Sequence, residues 1–455
     1  MIDEAVAYQE ALDYLYSYVD YSLTHNFRYT PDKFDLGRMY DFLRLLDDPQ
    51  KKYPVIHIAG TKGKGSTAAL ISSSLMSAGY QVGLYTSPHL QNFTERIQIN
   101  GQEISQADLV KLVSFVKPFV AEVAQLTTFE ITTALAFLYF ARQKVEVAVV
   151  EVGLGGRLDA TNVVDPLVSV ITSLSMDHVS ILGDTLPKIA FEKAGIIKPG
   201  RPVVLAPQPE EARLVIEAVA QERHSPLVEV GRDFLYAAGE HSLAGQSFTV
   251  WQSDLTSLAA VQLRTQLLGQ HQVENGATAY AALQVAGRLG IAIDDQAIRA
   301  GFESVRWPGR FELLRYDPPV VVDSAHNRES ALRLGQALQD YLPGRPVVLV
   351  FGVSEDKDIE GMLAELLPRV NQVITTQSVH PRALDAEKLA ELARQHGVLP
   401  VKAVLPVEAA LAEALALAGN DAVVLVTGSL FIVAAVRDVW SKLLRQSENQ
   451  KVQPV

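Results

Sequence analysis

The chain reads as an α/β protein of two domains, each built on a mostly parallel sheet. Three observations predict this. Short Val/Ile-rich runs alternate with longer helical patterns along most of the 455 residues, the signature of βαβ units. An apolar run at 55–59 leads into a glycine-rich turn and then a helical pattern, as at the ligand-binding edge of an open parallel sheet. The alternation breaks at Arg306-Trp307-Pro308-Gly309-Arg310 and starts afresh, where Pro and Gly interrupt two periodic regions. The expected domains are therefore 1–305 and a smaller 306–455.

Taken in order, the first block supplies candidate strands at 55–59, 82–86, 145–152, 167–172 and 202–206, most of them separated by helices. The stretch 207–252 is mixed, with a helix at 210–223 and small strands at 226–230 and 246–251. A long helix begins near Gln270, and 294–305 makes another. Strands then recur near 320–323, 346–351, 372–376, 400–405 and 422–426, each pair separated by a helix.

Composition narrows the class. Hydrophobics at 48% and charged residues at 20% suit a chain with a substantial core, and a net charge of −12 argues against a nucleic-acid or anionic-membrane surface. Without cysteine there is no disulfide, thiolate nucleophile or Cys-ligated zinc. The N-terminus Met1-Ile2-Asp3-Glu4 is acidic where a signal peptide would be basic. The late apolar stretch 423–436 is interrupted by Thr427-Gly428-Ser429 and falls short of the ~20 residues a membrane span needs. The expectation is a cytoplasmic monomer that takes small molecules, with no nucleic acid or membrane partner.

The chemistry starts at His57-Ile58-Ala59-Gly60-Thr61-Lys62-Gly63-Lys64-Gly65-Ser66-Thr67. Glycines let backbone N–H groups turn inward at a helix start, where the dipole favours an anion, and a lysine adds a point charge. This is a phosphate cradle, although Gly65 intervenes between Lys64 and Ser66 where the usual pattern has none.

Further candidates fall at strand ends. Ser87, in Tyr85-Thr86-Ser87-Pro88-His89-Leu90, is either a turn serine before proline or a hydroxyl placed for a nucleotide-borne Mg²⁺. Glu151 closes an apolar strand before Gly153, Gly155 and Gly156, so it reads as a paired structural carboxylate or as a metal ligand beside a binding loop. His178 follows another strand, as a structural histidine or a third polar group at that edge. Farther on, Thr185 or Asp184 caps a helix that Pro187 starts and Gly195 closes. Lys193 on that helix reads alone as solvated, because an ammonium has no lone pair to offer a cation.

These segments, with Phe129-Glu130, Glu192-Lys193-Ala194-Gly195, 307–310 and 323–327, occur in the order found in folylpolyglutamate and dihydrofolate synthases, and the chain resembles that branch of the Mur ligase superfamily from about Tyr53 to Thr427. The resemblance implies a Mur-ligase-type P-loop ATP-binding domain followed by a smaller Rossmann-like α/β domain. It implies amide formation in which ATP phosphorylates a folate carboxylate and glutamate's amine attacks the acyl phosphate. Gly63, Lys64, Gly65 and Ser66 would hold ATP phosphates, while Ser87, Glu151 and His178 bind Mg²⁺. Lys193 matches a lysine that is carbamylated in the family and so ligates a second Mg²⁺, which reverses the reading of that residue alone. Asn275 matches an adenine contact, Arg310 a phosphate contact and Asp323 an ATP contact. Thr127, Thr128, Phe129 and Glu130, with Leu158, Asp159 and Ala160, match a pteroate site, and His326 and Ser429 fit the glutamate side. The catalytic group is then Lys64, Lys193, His178 and Glu151.

Two segments depart from the family. Lys62 stands where asparagine is commonest, and Ser324 and Arg328 replace the usual Gly and Pro around His326. Two other readings compete: a Mur-type ligase joining an amino acid to another carboxylate, and an ATPase switch that ligates nothing.

Overall fold

A computed structural model describes residues 4–19, 35–253, 260–397 and 399–451, with side chains to 444. The chain divides into two units: Met1–Glu240, Ser247–Gln266 and His271–Arg306 form one, and His241–Gln246, Leu267–Gln270 and Trp307–Val455 the other. Two short segments that precede Arg306 in sequence thus belong with the later part of the chain.

The first unit is organised by eight strands: β1 Val55–Ala59, β2 Val82–Tyr85, β3 Ile97–Ile99, β4 Gln102–Glu103, β5 Val147–Glu151, β6 Val168–Ile171, β7 Val203–Leu205 and β8 Leu227–Glu229. They lie in the order β4-β3-β2-β5-β1-β6-β7-β8. All neighbours from β2 to β8 pair in parallel, and β3 and β4 add an antiparallel edge. The central strands β1 and β5 are buried at every position, as expected for strands covered on both faces. One face packs on Phe42, Leu112, Ile131, Phe137 and Phe140 from flanking helices. The other packs on Ala190, Ala194, Ile216 and Val219. A three-stranded sheet follows, β9 Phe234–Ser242, β10 Gly245–Gln252 and β11 Val261–Thr265, ordered β11-β10-β9.

The later unit carries β12 Glu312–Tyr316, β13 Pro319–Val322, β14 Val347–Phe351, β15 Gln372–Thr375, β16 Val401–Ala403 and β17 Val423–Thr427. Their order is β12-β13-β17-β14-β15-β16, parallel except for the β12–β13 pair. Leu334, Met362, Leu366 and Leu389 fill its core beside Leu349 and Leu425. The architecture is the expected α/β pair of sheets. Among the described residues no helix is long and apolar enough to cross a membrane.

One local expectation needs correcting. The helix Leu186–Ala194 does begin after Thr185 and end at Gly195, but Thr185 makes no side-chain cap and Gly195 has a right-handed φ of −57°. Gly195 is required for a different reason: a Cβ there would lie 2.4 Å from the Arg157 Cα and 2.8 Å from its nitrogen.

Candidate active site

The phosphate loop joins β1 to the helix Lys64–Ser77. Gly63 caps that helix with φ +88°, and a Cβ there would fall 2.1 Å from Asn275 Oδ1. Glycine is therefore needed for both conformation and space, and Asn275 is brought directly against the loop. The N–H groups of Thr61 and Lys62 both donate to Ser173 O, at 3.0 and 3.2 Å, tying the loop to the residues after β6. The helix start leaves the N–H groups of Lys64, Gly65 and Ser66 without intrahelical acceptors, which suits an anion.

Strand order aligns the next groups. Because β5 lies between β1 and β2, Glu151 at the end of β5 and Ser87 just past β2 share the carboxyl edge that bears the loop. Glu151 is 5% exposed. Its Oε1 lies 3.9 Å from Lys64 Nζ, and its Oε2 accepts the Ser87 N–H at 3.3 Å. Lys64 also donates to Gly60 O at 3.1 Å.

Lys193 reaches the same carbonyl from another direction, donating to Gly60 O at 2.9 Å. It is buried, and among the described residues no carboxylate pairs with it. Burial, then the charge of Lys64, pull its pKa down to about 7. That is the environment of a reactive amine and not of a solvated helix lysine. His178 caps the short helix Val179–Leu182 with φ +48°, stands about half exposed, and lies 3.8 Å from Asp177 Oδ1. Asp177 in turn pairs with Lys62 at 3.2 Å, so the lysine that departs from the family joins the loop to the His178 segment. Among the described residues no three His, Cys, Asp or Glu side chains converge as a metal cluster. The expected set contains only two such groups, Glu151 and His178, beside a hydroxyl and a lysine.

The pteroate-matching residues divide by role. Thr127 caps the helix Thr128–Arg142, and its N–H and hydroxyl both donate to Glu130 Oε2 at 2.8 Å. Arg38 meets the other Glu130 oxygen at 3.3 Å, and Thr128 Oγ donates to Leu15 O at 2.9 Å. All three side chains are thus hydrogen-bonded at the helix start. Phe129 is left half-buried with its ring 6.2 Å from Tyr85 and directly above Gly153. Leu158 is likewise half-buried and Ala160 buried. Asp159 accepts from Leu154 N at 2.9 Å, Thr161 N at 3.0 Å and the Thr161 hydroxyl at 2.5 Å, which locks the glycine loop. Burial raises its pKa against those bonds.

In the later unit, Asp323 follows β13. Its Oδ2 accepts from Phe311 N at 2.7 Å and its Oδ1 from Ala325 N at 2.8 Å, so it fixes the segment that carries Arg310. Ser429 is buried and accepts the Ile432 N–H at 3.2 Å. Gly428 N donates to Ala325 O at 3.1 Å, which brings Ser429 and His326 to the ends of adjacent strands. His326 Nδ1 lies 2.9 Å from Ser324 O. The departures are accommodated, since Arg328 pairs with Glu365 at 3.0 Å, although the Ser324 hydroxyl is buried without a partner.

Arg38 and Arg96 carry no local sequence signal: Arg38 meets Glu130, 92 residues later, and Arg96 donates to His89 across the turn that precedes β3.

The chain matches the Mur ligase middle domain over residues 58–283 and the Mur ligase glutamate ligase domain over 309–430. It is 37% identical to a dihydrofolate synthase/folylpolyglutamate synthase of Bacillus subtilis, covering 95% of this chain and 98% of that one. A folylpolyglutamate synthase of Lacticaseibacillus casei is 35% identical, covering 94% and 98%. The structure of Mycobacterium tuberculosis folylpolyglutamate synthase complexed with ADP superposes with a TM-score of 0.86 at 33% identity, covering 96% of this chain and 99% of that one. With both domain models matched in order and relatives aligned along nearly their whole length, the chain belongs to the dihydrofolate synthase/folylpolyglutamate synthase family of Mur ligases.

Proposed function

We propose that the chain is an ATP-dependent, ADP-forming ligase that joins L-glutamate to tetrahydrofolate and its glutamates, and to dihydropteroate as a second acceptor. The observation that carries the reading is the alignment of Lys64, Glu151 and Ser87 on neighbouring strand ends beside the phosphate loop. The names of the two relatives support both acceptors, one naming both activities and the other polyglutamylation alone.

An acceptor carboxylate oxygen attacks the γ-phosphorus of ATP, ADP leaves, and the glutamate amine then attacks the acyl carbon and expels phosphate. No side-chain nucleophile is needed. The protein's part is to position the reactants and stabilise charge on the phosphoryl oxygens. Lys64 meets that charge, the N–H groups of Gly63 to Ser66 cradle the phosphates, and Asn275 faces the adenine. Arg310 and Asp323 are the proposed nucleotide contacts of the C-terminal sequence, and His326 and Ser429 its proposed glutamate contacts. Thr127, Thr128, Phe129 and Glu130, with Leu158, Asp159 and Ala160, receive the pteroyl group.

The residues fit Mg²⁺. A buried carboxylate on Glu151 and the Ser87 hydroxyl are the hard oxygen donors that this ion takes alongside phosphate oxygens and water. His178 would join Glu151 and Ser87, and a second ion would be held by Lys193 as its carbamate, a modification suited to a buried amine whose one hydrogen bond among the described residues goes to the Gly60 carbonyl. Bound there, Mg²⁺ supplies Lewis-acid stabilisation of the phosphoryl oxygens.

The test is a product assay with ATP, Mg²⁺, L-glutamate and either tetrahydrofolate or dihydropteroate. ADP and phosphate should appear only when all four components are present. AMP and pyrophosphate would mean adenylation, ATP hydrolysis without an acceptor would favour a switch, and turnover only with a cell-wall precursor would favour the other Mur-type reading.

A further inference from the structure

The carboxyl edge of the first sheet works as a ruler. Reading outward from β1, the phosphate loop is followed by Glu151 on β5, Ser87 after β2, and then β3. Arg96 immediately precedes β3, and its carbonyl accepts the Thr86 N–H at 3.1 Å. Arg96 is thus level with Thr86, the residue before Ser87, one strand farther from the phosphate loop.

Its guanidinium is half-buried and lacks an anion. Nε donates to His89 Nδ1 at 2.9 Å, and the cation lies 5.5 Å from the Phe93 ring centroid. A ring nitrogen that accepts this bond carries no proton, so His89 is a neutral partner and leaves the guanidinium charge uncompensated. The adjacent carboxylate, Glu95, is committed to the N–H groups of Leu90, Gln91 and Asn92 at 2.6, 2.8 and 2.7 Å. Among the described residues, both terminal nitrogens of Arg96 reach no acceptor. Half-buried arginines are ordinarily paired, and the free fork is shaped for two carboxylate oxygens.

We propose that Arg96 binds the α-carboxylate of the acceptor's terminal glutamate. This rests on the ligase reading above, in which the γ-carboxylate reacts beside Lys64 and Glu151. Neighbouring strands are ~4.8 Å apart, so the start of β3 lies two spacings, about 10 Å, from the end of β5 that carries Glu151, a gap that the arginine side chain and a glutamyl residue would span together. In a glutamyl residue three carbons separate the two carboxylates, a span of about 5 Å. Dihydropteroate has a single carboxylate, which is itself the reacting group, and offers Arg96 nothing. The residue therefore favours acceptors that already carry glutamate.

The experiment compares wild type, Arg96→Ala and Arg96→Lys on tetrahydrofolate and on its terminal α-carboxamide, with dihydropteroate alongside. Wild type should prefer the acid over the amide by about 10- to 100-fold in kcat/KM, as expected for a charge-assisted hydrogen bond. Arg96→Ala should lose that factor on the acid, mainly through acceptor KM, and should no longer distinguish acid from amide. Arg96→Lys should keep part of the preference, because an ammonium supplies charge without the fork. The loss with dihydropteroate should be at least about tenfold smaller, and KM for ATP should hold. Equal losses on acid and amide would overturn the proposal and make Arg96 a brace for its loop. If the alanine variant does not fold, the lysine variant carries the same comparison. No turnover by wild type on any acceptor would sink the ligase reading, and this one with it.

Discussion

His57 on β1 and Thr161, 104 residues later, share a buried hydrogen bond of 2.8 Å. The Thr161 hydroxyl spends its single proton on Asp159, so it accepts from His57, and His57 carries its proton on Nε2. The strand that delivers the phosphate loop is thereby tied to the acid that locks the glycine loop. His57 Nδ1 is left buried without a partner.

The burial of that ring sets an acid limit on stability. Burial, helped by Lys198, lowers the His57 pKa from 6.5 to about 3. The unfolded chain takes a proton below about 6.5 that the native state refuses, so stability present above that pH is lost as pH falls towards about 3. His57→Gln, which keeps a donor without a titration, should flatten the fall in urea midpoint between about pH 7 and pH 5. His89 is also held to about 3, so the flattening should be partial. An unchanged fall would place the acid sensitivity elsewhere.

Lys64→Ala should lower kcat/KM on the order of 10³-fold or more with the fold intact, because its charge meets the transferring phosphoryl group. Glu151→Gln should act in the same direction, with the added signature that raised Mg²⁺ recovers part of the loss. Near-normal turnover at saturating substrates would remove either residue from the mechanism.

Gly63→Ala should act on the nucleotide and not on the acceptor. A methyl group there meets Asn275 at 2.1 Å and must adopt φ +88°, so the loop and Asn275 separate. ATP KM should rise at least about tenfold with acceptor KM little changed, on the cost of a strained φ and a steric clash together. Equal effects on both would point to a general loss of structure.

For Lys193, a neutral amine is the form that takes up carbon dioxide, and a pKa near 7 makes that form plentiful at neutral pH. Enzyme held without carbon dioxide should regain activity on adding bicarbonate, faster at about pH 8 than at about pH 6. Lys193→Ala should be inactive and partly rescued by small carboxylates. Lys193→Arg should be equally inactive, since a guanidinium offers no acceptor oxygen. A fully active Lys193→Arg enzyme would show that positive charge alone is needed.

Much of this was legible in the chain. β1 and the phosphate loop follow from an apolar run entering a glycine turn, and Glu151 stands out as a carboxylate ending the Val-rich strand β5. What a one-dimensional pattern cannot carry is adjacency. That β5 inserts between β1 and β2, bringing Ser87 to Glu151, depends on pairing partners about 65 to 90 residues apart. The antiparallel edge of β3 and β4 is only a few residues long and polar on β4, too short for period-two alternation to register. Gly195 was read as a helix stop, whereas space against Arg157 dictates it.

That glycine belongs to a seam. Gly156 sits where a Cβ would lie 2.8 Å from Glu192 O and 3.0 Å from Lys193 O, and Arg157 N donates to Glu192 O at 2.7 Å. The loop after Glu151 and the end of the Lys193 helix therefore touch backbone to backbone, with no side chain between them to repack. For anyone re-engineering the enzyme towards bulkier acceptors, this junction behaves like a weld. Lengthening or widening the loop would drag Lys193 away from Gly60, so on the acceptor site proposed above new range has to be sought at Phe129, Leu158 and Arg96, whose side chains lie outside this backbone contact.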